Sequence, residues 1–135
     1  MSIKNTREDW NRLSEEEKWE VVAKLCRWDT LRWERELGDD GLEHKVLRGV
    51  TKGNRVVRNV PHYLTDLNAI IQAVDEEEEQ HNESWAANYT YRLLEVAGGY
   101  TGENEFDWDD VHWAAQATAM QRAEAFYMTM LQYTV

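Results

Sequence analysis

The sequence has 135 residues, is 42% hydrophobic and 30% charged, and has a formal net charge of −11. These values are typical of one globular domain and not of a disordered chain. Residues 1–60 hold 13 Lys/Arg and 12 Asp/Glu, whereas residues 61–135 hold 2 Lys/Arg and 14 Asp/Glu. Because an acidic field of that strength repels phosphates, we expect neither direct nucleic-acid binding nor membrane binding.

The N-terminus has no basic stretch followed by an apolar run, and no apolar run approaches the roughly 20 residues of a membrane helix. Cys26 is the single cysteine, so an internal disulfide is excluded. A lone cysteine of this kind is most often a small buried apolar residue. These features favour a reducing, cytoplasmic location.

Two helices are predicted in the first 27 residues. Thr6 and Asp9 have capping-box-like spacing, which indicates a short helix, and Ser14 with Glu17 is a better capping box for a helix over 15–27. Apolar residues then recur at helical spacing on one face. They are Trp19, Val22 and Cys26, with Val21 and Leu25 beside them.

The middle third reads as a small antiparallel sheet. Leu31 and Trp33 alternate with polar residues, which is a strand period, although a helix through 33–37 is the alternative. Residues 38–41 form a loop. Two further strands, 44–50 and 55–60, are joined by a tight turn at Gly53-Asn54.

A third helix is predicted over 62–79, with Pro61 in or just before its first turn. Its apolar residues at helical spacing are Leu64, Leu67, Ile71 and Val74. The run of five acids at 75–79 indicates a solvated helix end, although acids there oppose the helix dipole. A fourth helix is predicted over 84–97, with Gly98-Gly99 as its stop and a strand around 89–91 as the alternative.

The last helix is predicted over 110–133, capped by Asp107 or Asp109. Its apolar stripe consists of Trp113, Ala117, Met120, Ala123, Tyr127 and Met130, widened by Phe126 and Leu131. The elements together predict a single domain, 1–135, of the α+β class. It is mainly helical, with three to four helices packed on a small antiparallel sheet from the middle third.

The densest acidic cluster lies in the loop before the last helix. It consists of Glu103, Glu105, Asp107, Asp109 and Asp110, with His112 nearby. Hard cations favour converging carboxylates, but the positions do not match a calcium loop, so we expect a solvated acidic loop and no metal site. The four histidines lack metal-ligand spacing, and no nucleophile–base pair is visible. We therefore predict no catalytic residue, no cofactor and no enzyme.

The stretch 45–58 holds five basic residues and no acid. On a hairpin it is suited to contact phosphate or an acidic partner. The simpler interpretation is that it pairs with the acidic helices of the same molecule or of a sister subunit.

Three segments resemble small uncharacterised proteins of bacteriophages and prophages, some of which are described as phage α/β/α sandwich domains. The segments are Pro61-His-Tyr-Leu-Thr-Asp-Leu-Asn-Ala69, Ala117-Thr-Ala-Met-Gln-Arg-Ala-Glu-Ala-Phe126, and the front stretch 13–28. The resemblance implies a phage-encoded accessory protein with a helix–sheet–helix layout, and it brings no known activity.

The residues that match the shared motifs are the candidate binding residues. They are Tyr63, Asp66, Asn68, Thr118, Gln121, Arg122 and Glu124. One interpretation is structural, with Thr65 or Asp66 capping a helix and Arg122 pairing with Asp66 or Glu124. The other is that the two motifs meet and frame a small polar site.

Our first functional hypothesis is a non-catalytic binding protein that acts in the cytoplasm of an infected bacterial host. Its acidic surface would engage a host protein with a basic surface, for example a nucleic-acid-binding defence protein. The candidate acidic surface comprises Glu76, Glu77, Glu78, Glu79, Glu103, Glu105, Asp107, Asp109 and Asp110.

The alternative is a small-ligand binder that sequesters a nucleotide, with Arg122 and the basic hairpin facing its phosphates. A structural component of the virion is a further hypothesis. Seven Trp in 135 residues also make a homodimer with aromatic contacts plausible.

Overall fold

The computed structural model describes residues 6–81, 83–98, 112 and 114–134. Helices precede and follow a three-stranded antiparallel sheet, which confirms the predicted α+β class. No helix in these ranges is long and apolar enough to cross a membrane. The elements are α1 (Thr6–Arg12), α2 (Glu15–Leu25), β1 (Trp28–Leu37), β2 (Glu43–Thr51), β3 (Asn54–Asn59), α3 (Leu67–Gln80), α4 (Glu83–Gly98) and α5 (Ala119–Thr134).

Both predicted helices of the N-terminal region are present, and the second has the predicted capping box. Glu17 donates its backbone N–H to Ser14 Oγ (3.2 Å), and Ser14 donates its N–H to Glu17 Oε1 (3.1 Å). Helix α2 ends at Leu25, two residues before the predicted end. Arg27 has a φ of 68°, and a left-handed residue turns the chain out of a right-handed helix and into β1.

The sheet is a meander in the order β1-β2-β3. Residues 33–37 belong to β1, so the helical alternative for them is wrong. Trp33 pairs with Leu47 of β2, and Leu37 pairs with Glu43 at the far end of the hairpin. The loop predicted between these strands is confirmed.

A bulge in β1 brings its backbone close to β2. The pairing register shifts between Asp29 and Arg32, and Thr30 has a φ of 53°. A Cβ added to Gly49 would lie 2.8 Å from Leu31 Cδ2 and 2.9 Å from the Asp29 carbonyl oxygen. Because a backbone oxygen cannot move aside easily, this approach requires glycine at position 49.

The turn between β2 and β3 lies one residue earlier than predicted. Thr51 pairs with Asn54, so the turn residues are Lys52 and Gly53. Asn54 begins β3 instead, and its side-chain oxygen accepts a hydrogen bond from the Val56 N–H (3.1 Å). Strand β3 lies at one edge of the sheet, and all six of its residues are exposed. It therefore contributes little to the core.

Helix α3 begins at Leu67, five residues later than predicted. Asp66 is its N-cap, and the Asp66 carboxylate accepts the Ala69 N–H (3.1 Å). Before it, the His62 carbonyl accepts two backbone N–H groups in a turn that replaces the helical turn expected after Pro61. Asp66 supplies a side-chain acceptor for the first turn of α3, which Pro61 could not supply to a helix that began at 62.

The later start of α3 changes its buried face. Leu64 is buried but lies outside the helix, whereas Leu67 is 42% exposed. The predicted stripe is therefore wrong at both positions. The buried residues of α3 are Ile70, Ala73, Val74 and Glu77.

Helix α4 confirms the fourth predicted helix, and residues 89–91 are helical, so the strand alternative there is wrong. Its buried side chains are Trp85, Tyr89, Leu93 and Leu94.

Helix α5 begins at Ala119 instead of 110 because a second capping box precedes it. Thr118 donates its N–H to Gln121 Oε1 (2.9 Å), and Gln121 donates its N–H to Thr118 Oγ1 (3.1 Å). Residues 116–118 form a turn and break the long helix that was predicted. The expected caps, Asp107 and Asp109, lie outside the described residues.

The centre of the core is α5. Eight consecutive residues, 123–130, are buried, and α5 contacts α1, α2, α3 and α4. The predicted stripe is therefore too narrow, because α5 is enclosed by four helices. The Trp10 and Tyr127 rings lie 5.1 Å apart, and the Trp85 and Phe126 rings lie 6.4 Å apart, so aromatic contacts fasten α1 and α4 to it.

The five tryptophans in the described residues are buried or half-buried within one copy of the chain. One core therefore accommodates them, and they give no support to the aromatic homodimer. Trp108 and Trp113 lie outside the described residues.

Candidate functional site

The outer face of α3 carries four exposed carboxylates. At about 100° per residue, the buried positions 70, 73, 74 and 77 occupy one arc of the helix, and the exposed acids occupy the opposite arc. No Lys, Arg or His among the described residues forms an ion pair with these acids, whereas Glu77, Glu95 and Glu124 in the same half are paired. The four exposed acids, which we call the α3 acidic face, are Asp75, Glu76, Glu78 and Glu79.

Glu77 does not belong to that face, and its assignment to the acidic surface is wrong. It is 2% exposed, and its carboxylate accepts hydrogen bonds from the Arg27 guanidinium and lies 3.1 Å from His81 Nε2. Arg27 also donates to Gln80 Oε1 (2.9 Å). The hydrogen bond from Arg27 to Glu77 raises the pKa of Arg27, so this guanidinium stays charged and ties the α2–β1 junction to the end of α3.

The basic stretch 45–58 pairs with acids of its own half. Lys45 Nζ lies 3.1 Å from a Glu16 oxygen on α2, and Arg48 Nε lies 3.0 Å from a Glu34 oxygen on β1. Arg55 likewise reaches Asp29 of β1 at 3.4 Å. The stretch is thus largely neutralised within the molecule, but by β1 and α2 and not by the α3 acidic face.

The remaining acidic-surface residues, Glu103, Glu105, Asp107, Asp109 and Asp110, lie outside the described residues. Within the described ranges, no three His, Cys, Asp or Glu side chains converge as metal ligands would.

The residues of the first motif have separate structural positions. Tyr63 is buried, and its hydroxyl accepts a hydrogen bond from Trp28 Nε1 (2.9 Å). Asp66 caps α3, as one of the sequence interpretations expected, and Asn68 is exposed in the first turn of that helix.

The residues of the second motif lie at the start of α5. Thr118 and Gln121 form its capping box, and Arg122 donates to the carbonyl oxygens of Ala117 (3.1 Å) and Ala115 (3.3 Å). Glu124 pairs instead with Arg7 of α1 (3.5 Å), and burial raises the pKa of Glu124.

Arg122 therefore pairs with neither Asp66 nor Glu124. Arg122 also acts electrostatically on Tyr89, since its charge opposes the rise that burial causes in the pKa of Tyr89. The contacts of the two motifs lead to different parts of the molecule, and the shared polar site that they suggested is not formed by these contacts.

The structure brings together a different set of residues around a cavity of about 310 Å³ between the sheet and α3. Sequence reasoning missed it, because its walls come from segments up to 50 residues apart. Two sequence features pointed to residues of this cavity: the first motif, which contains Tyr63, and the basic stretch, which contains Arg58. The lining residues are Cys26, Trp28, Thr51, Arg58, Pro61, Tyr63, Ala69, Gln72, Ala73 and Glu76.

Cys26 in the wall of this cavity is a protonated thiol. Burial is the main cause that raises its pKa to about 12, and the effect of the Tyr63 side chain opposes that shift only in part. Since the thiolate is the nucleophilic form, this environment does not activate Cys26. Cys26 is half-buried and packs against the core, close to the small buried residue that was predicted.

Comparisons of the chain with protein-family models, with curated proteins and with solved structures find no match.

Proposed function

We propose that this chain is a non-catalytic binding protein that engages a basic protein surface through the α3 acidic face. The observation that carries the proposal is the set of four exposed carboxylates on one helix without an ion-pairing partner among the described residues. Neighbouring like charges cost free energy, so a fold that leaves them unpaired gains most when a cationic partner covers them.

The distribution of ion pairs supports the same proposal. Most ion pairs of the cations in residues 1–60 are with acids of that half, such as Glu16 and Glu34, and none among the described residues is with an exposed acid of α3. The resulting potential accelerates association with a basic surface and weakens as salt rises.

The proposed partner is a host protein with a basic nucleic-acid site, which carboxylates on one helix face would occupy in place of phosphates. A bacteriophage origin and action in the host cytoplasm complete this proposal. They rest on the three segments that resemble phage proteins and on the lone Cys26.

The test is an affinity capture from bacterial lysate with a charge-neutralised variant, Asp75→Asn/Glu78→Gln/Glu79→Gln. We expect the wild-type chain to capture a basic nucleic-acid-binding protein at low salt, and the variant to lose it. The matched control, Glu15→Gln/Glu36→Gln/Asp39→Asn, removes the same charge from exposed positions of the other half and should retain capture.

The captured protein is then purified and titrated with each variant at increasing salt. We expect the logarithm of the affinity to fall as the logarithm of the salt concentration rises. Equal loss in both variants, or an affinity that does not respond to salt, would contradict the proposal.

A second candidate function, small-ligand binding, is supported by the cavity beside α3. The nucleotide hypothesis placed Arg122 against the phosphates. Arg122 instead donates to the carbonyl oxygens of Ala115 and Ala117, so it no longer supports that hypothesis. The cation that lines the cavity is Arg58.

A further inference from the structure

The cavity has a neutral, partly aromatic floor. Trp28 Nε1–H donates to the Tyr63 hydroxyl, and Cys26 lines the same cavity. Burial raises the pKa of both Tyr63 and Cys26, so neither group is ionised at neutral pH. The floor is therefore suited to an apolar or aromatic group and not to a charged one.

Arg58 supplies the positive wall. Its guanidinium lies over the Trp28 ring, 4.8 Å from the ring centroid, and donates to Thr51 Oγ1 (2.7 Å). In contrast to Arg48 and Arg55 on the same hairpin, it has no carboxylate within ion-pair distance among the described residues. The two contacts hold the guanidinium in place and leave further N–H donors for an anionic group.

Glu76 supplies the negative wall from α3. Gln72 Nε2 donates to Glu76 Oε1 (3.1 Å), which positions the carboxylate and leaves its second oxygen free of that bond. Glu76 and Arg58 line the same cavity but form no ion pair with each other. Two opposite charges that face one cavity without neutralising each other are complementary to a molecule that carries both signs.

We propose that this cavity binds a zwitterion of amino-acid size. The ligand carboxylate would lie against Arg58, its ammonium group against Glu76, and its apolar or aromatic body on Trp28 and Tyr63. The proposal rests on the second candidate function, small-ligand binding. Glu76 also belongs to the α3 acidic face, but the partner proposal is tested at Asp75, Glu78 and Glu79, so the two proposals can fail separately.

The size and charge of the site narrow the ligand class. A volume of about 310 Å³ is at the lower end of ligand pockets, which admits a free amino acid and excludes a dinucleotide. Asp75 and Glu79, adjacent to Glu76 on the outside of α3, would repel a di- or triphosphate. A zwitterion carries one carboxylate and one ammonium group and has no net charge, so these acids do not repel it in this way.

Isothermal titration of the full chain with L-phenylalanine, L-tryptophan and 6-aminohexanoic acid tests the proposal. We expect at least one of them to bind, and Arg58→Gln and Glu76→Gln each to weaken binding about tenfold or more, because each removes a charge-assisted hydrogen bond. The matched controls are Arg55→Gln on the same strand and Glu79→Gln on the same helix. Neither lines the cavity, and both should bind as the wild type does.

Ligand derivatives identify which wall binds which charge. The amide of the bound amino acid lacks the carboxylate, so its weaker binding should be insensitive to Arg58→Gln. The N-acetyl derivative lacks the ammonium group and should be insensitive to Glu76→Gln. Equal effects of the cavity variants and their controls would overturn the proposal, even if the ligand binds.

Thermal-shift measurements with nucleoside monophosphates distinguish a wrong ligand class from the absence of small-ligand binding. Binding of a nucleotide, with no binding of the three amino acids, would overturn the ligand class and leave small-ligand binding in place. No binding by any of these compounds at millimolar concentration would overturn both.

Discussion

Arg27 and Glu77 connect the two halves of a chain whose charge is segregated. Among the described residues, this pair and Arg7–Glu124 are the ion pairs that join a cation of residues 1–60 to an acid of residues 61–135. Glu77 is buried, so its carboxylate depends on the Arg27 guanidinium for charge compensation. A single side chain thus decides whether a buried carboxylate is tolerated.

We predict that Arg27→Met destabilises the fold, measured by urea denaturation at pH 7. Removing one partner of a buried ion pair typically costs about 3–5 kcal/mol, and the half-exposed Arg27 places the loss toward the lower end. Arg35→Met, which breaks an exposed pair with Glu43, should cost much less. In the double variant Arg27→Met/Glu77→Gln, most of the loss should be recovered; an additive loss would contradict the prediction.

His62 stacks on Trp19 with ring centroids 3.8 Å apart, and burial lowers its pKa. The unfolded chain therefore binds a proton at this histidine more readily than the folded chain does. By linkage, its contribution to stability is fully present above the unfolded pKa and is lost as the pH falls below about 6.5.

We predict that the free energy of unfolding decreases between pH 7 and pH 5 by a smaller amount in His62→Phe than in the wild type. Phenylalanine retains the stack on Trp19 and cannot titrate. Denaturant titrations at both pH values measure the difference, and the other histidines and carboxylates contribute equally to both proteins. An identical decrease in the two proteins would refute this role of His62.

At the scale of elements, side-chain caps decide where three helices begin. Ser14, Asp66 and Thr118 each accept a backbone N–H at the start of α2, α3 and α5. The cap at 66 starts α3 five residues later than predicted, and the turn that ends at the cap at 118 separates α5 from the helical residues 112, 114 and 115. Each cap also ends a turn that carries a buried residue, Leu64 or Ala117, into the core.

We predict that Thr118→Ala lowers the free energy of unfolding by about 1 kcal/mol, since it removes the N-cap of α5. Thr118→Ser keeps the hydroxyl and should restore most of the loss. Thermal unfolding of both variants is the measurement. A similar loss in both variants would show that the threonine methyl group, and not the cap, is responsible.

At the scale of the whole molecule, the four acids of the α3 acidic face have no ion-pairing partner among the described residues. The exposed acids of α3 lie in its C-terminal half, where the helix dipole disfavours negative charge, and they repel one another. The α3 acidic face therefore lowers the stability of the free protein, which agrees with the proposal that a cationic partner covers it.

We therefore predict that Asp75→Asn/Glu78→Gln/Glu79→Gln is more stable than the wild type by about 1 kcal/mol at low salt. The gain should shrink at 0.5 M NaCl, because salt screens exposed charges. Denaturant titrations at both salt concentrations measure it. Glu15→Gln/Glu36→Gln/Asp39→Asn is the control, and an equal gain in that variant would point to net charge alone.

The sequence by itself determined the α+β class, the position of the sheet and the existence of each main helix. These features depend on local period and capping, such as Ser14 with Glu17 and the alternation around Trp33, which neighbouring residues encode. It also determined the charge segregation, because charge is a property of composition. Helix starts were less predictable, because Pro61, Asp66 and Asp109 each offered a valid local signal.

Only the tertiary structure decided which of these signals prevailed and which residues meet. The burial of Glu77 depends on Arg27, 50 residues away, and the enclosure of α5 depends on four other helices. The cavity likewise needs β3 and α3 together, since Arg58 and Glu76 line it from these two elements. Such contacts are long-range, so no local pattern encodes them, and their energy comes from packing and charge compensation in the folded chain.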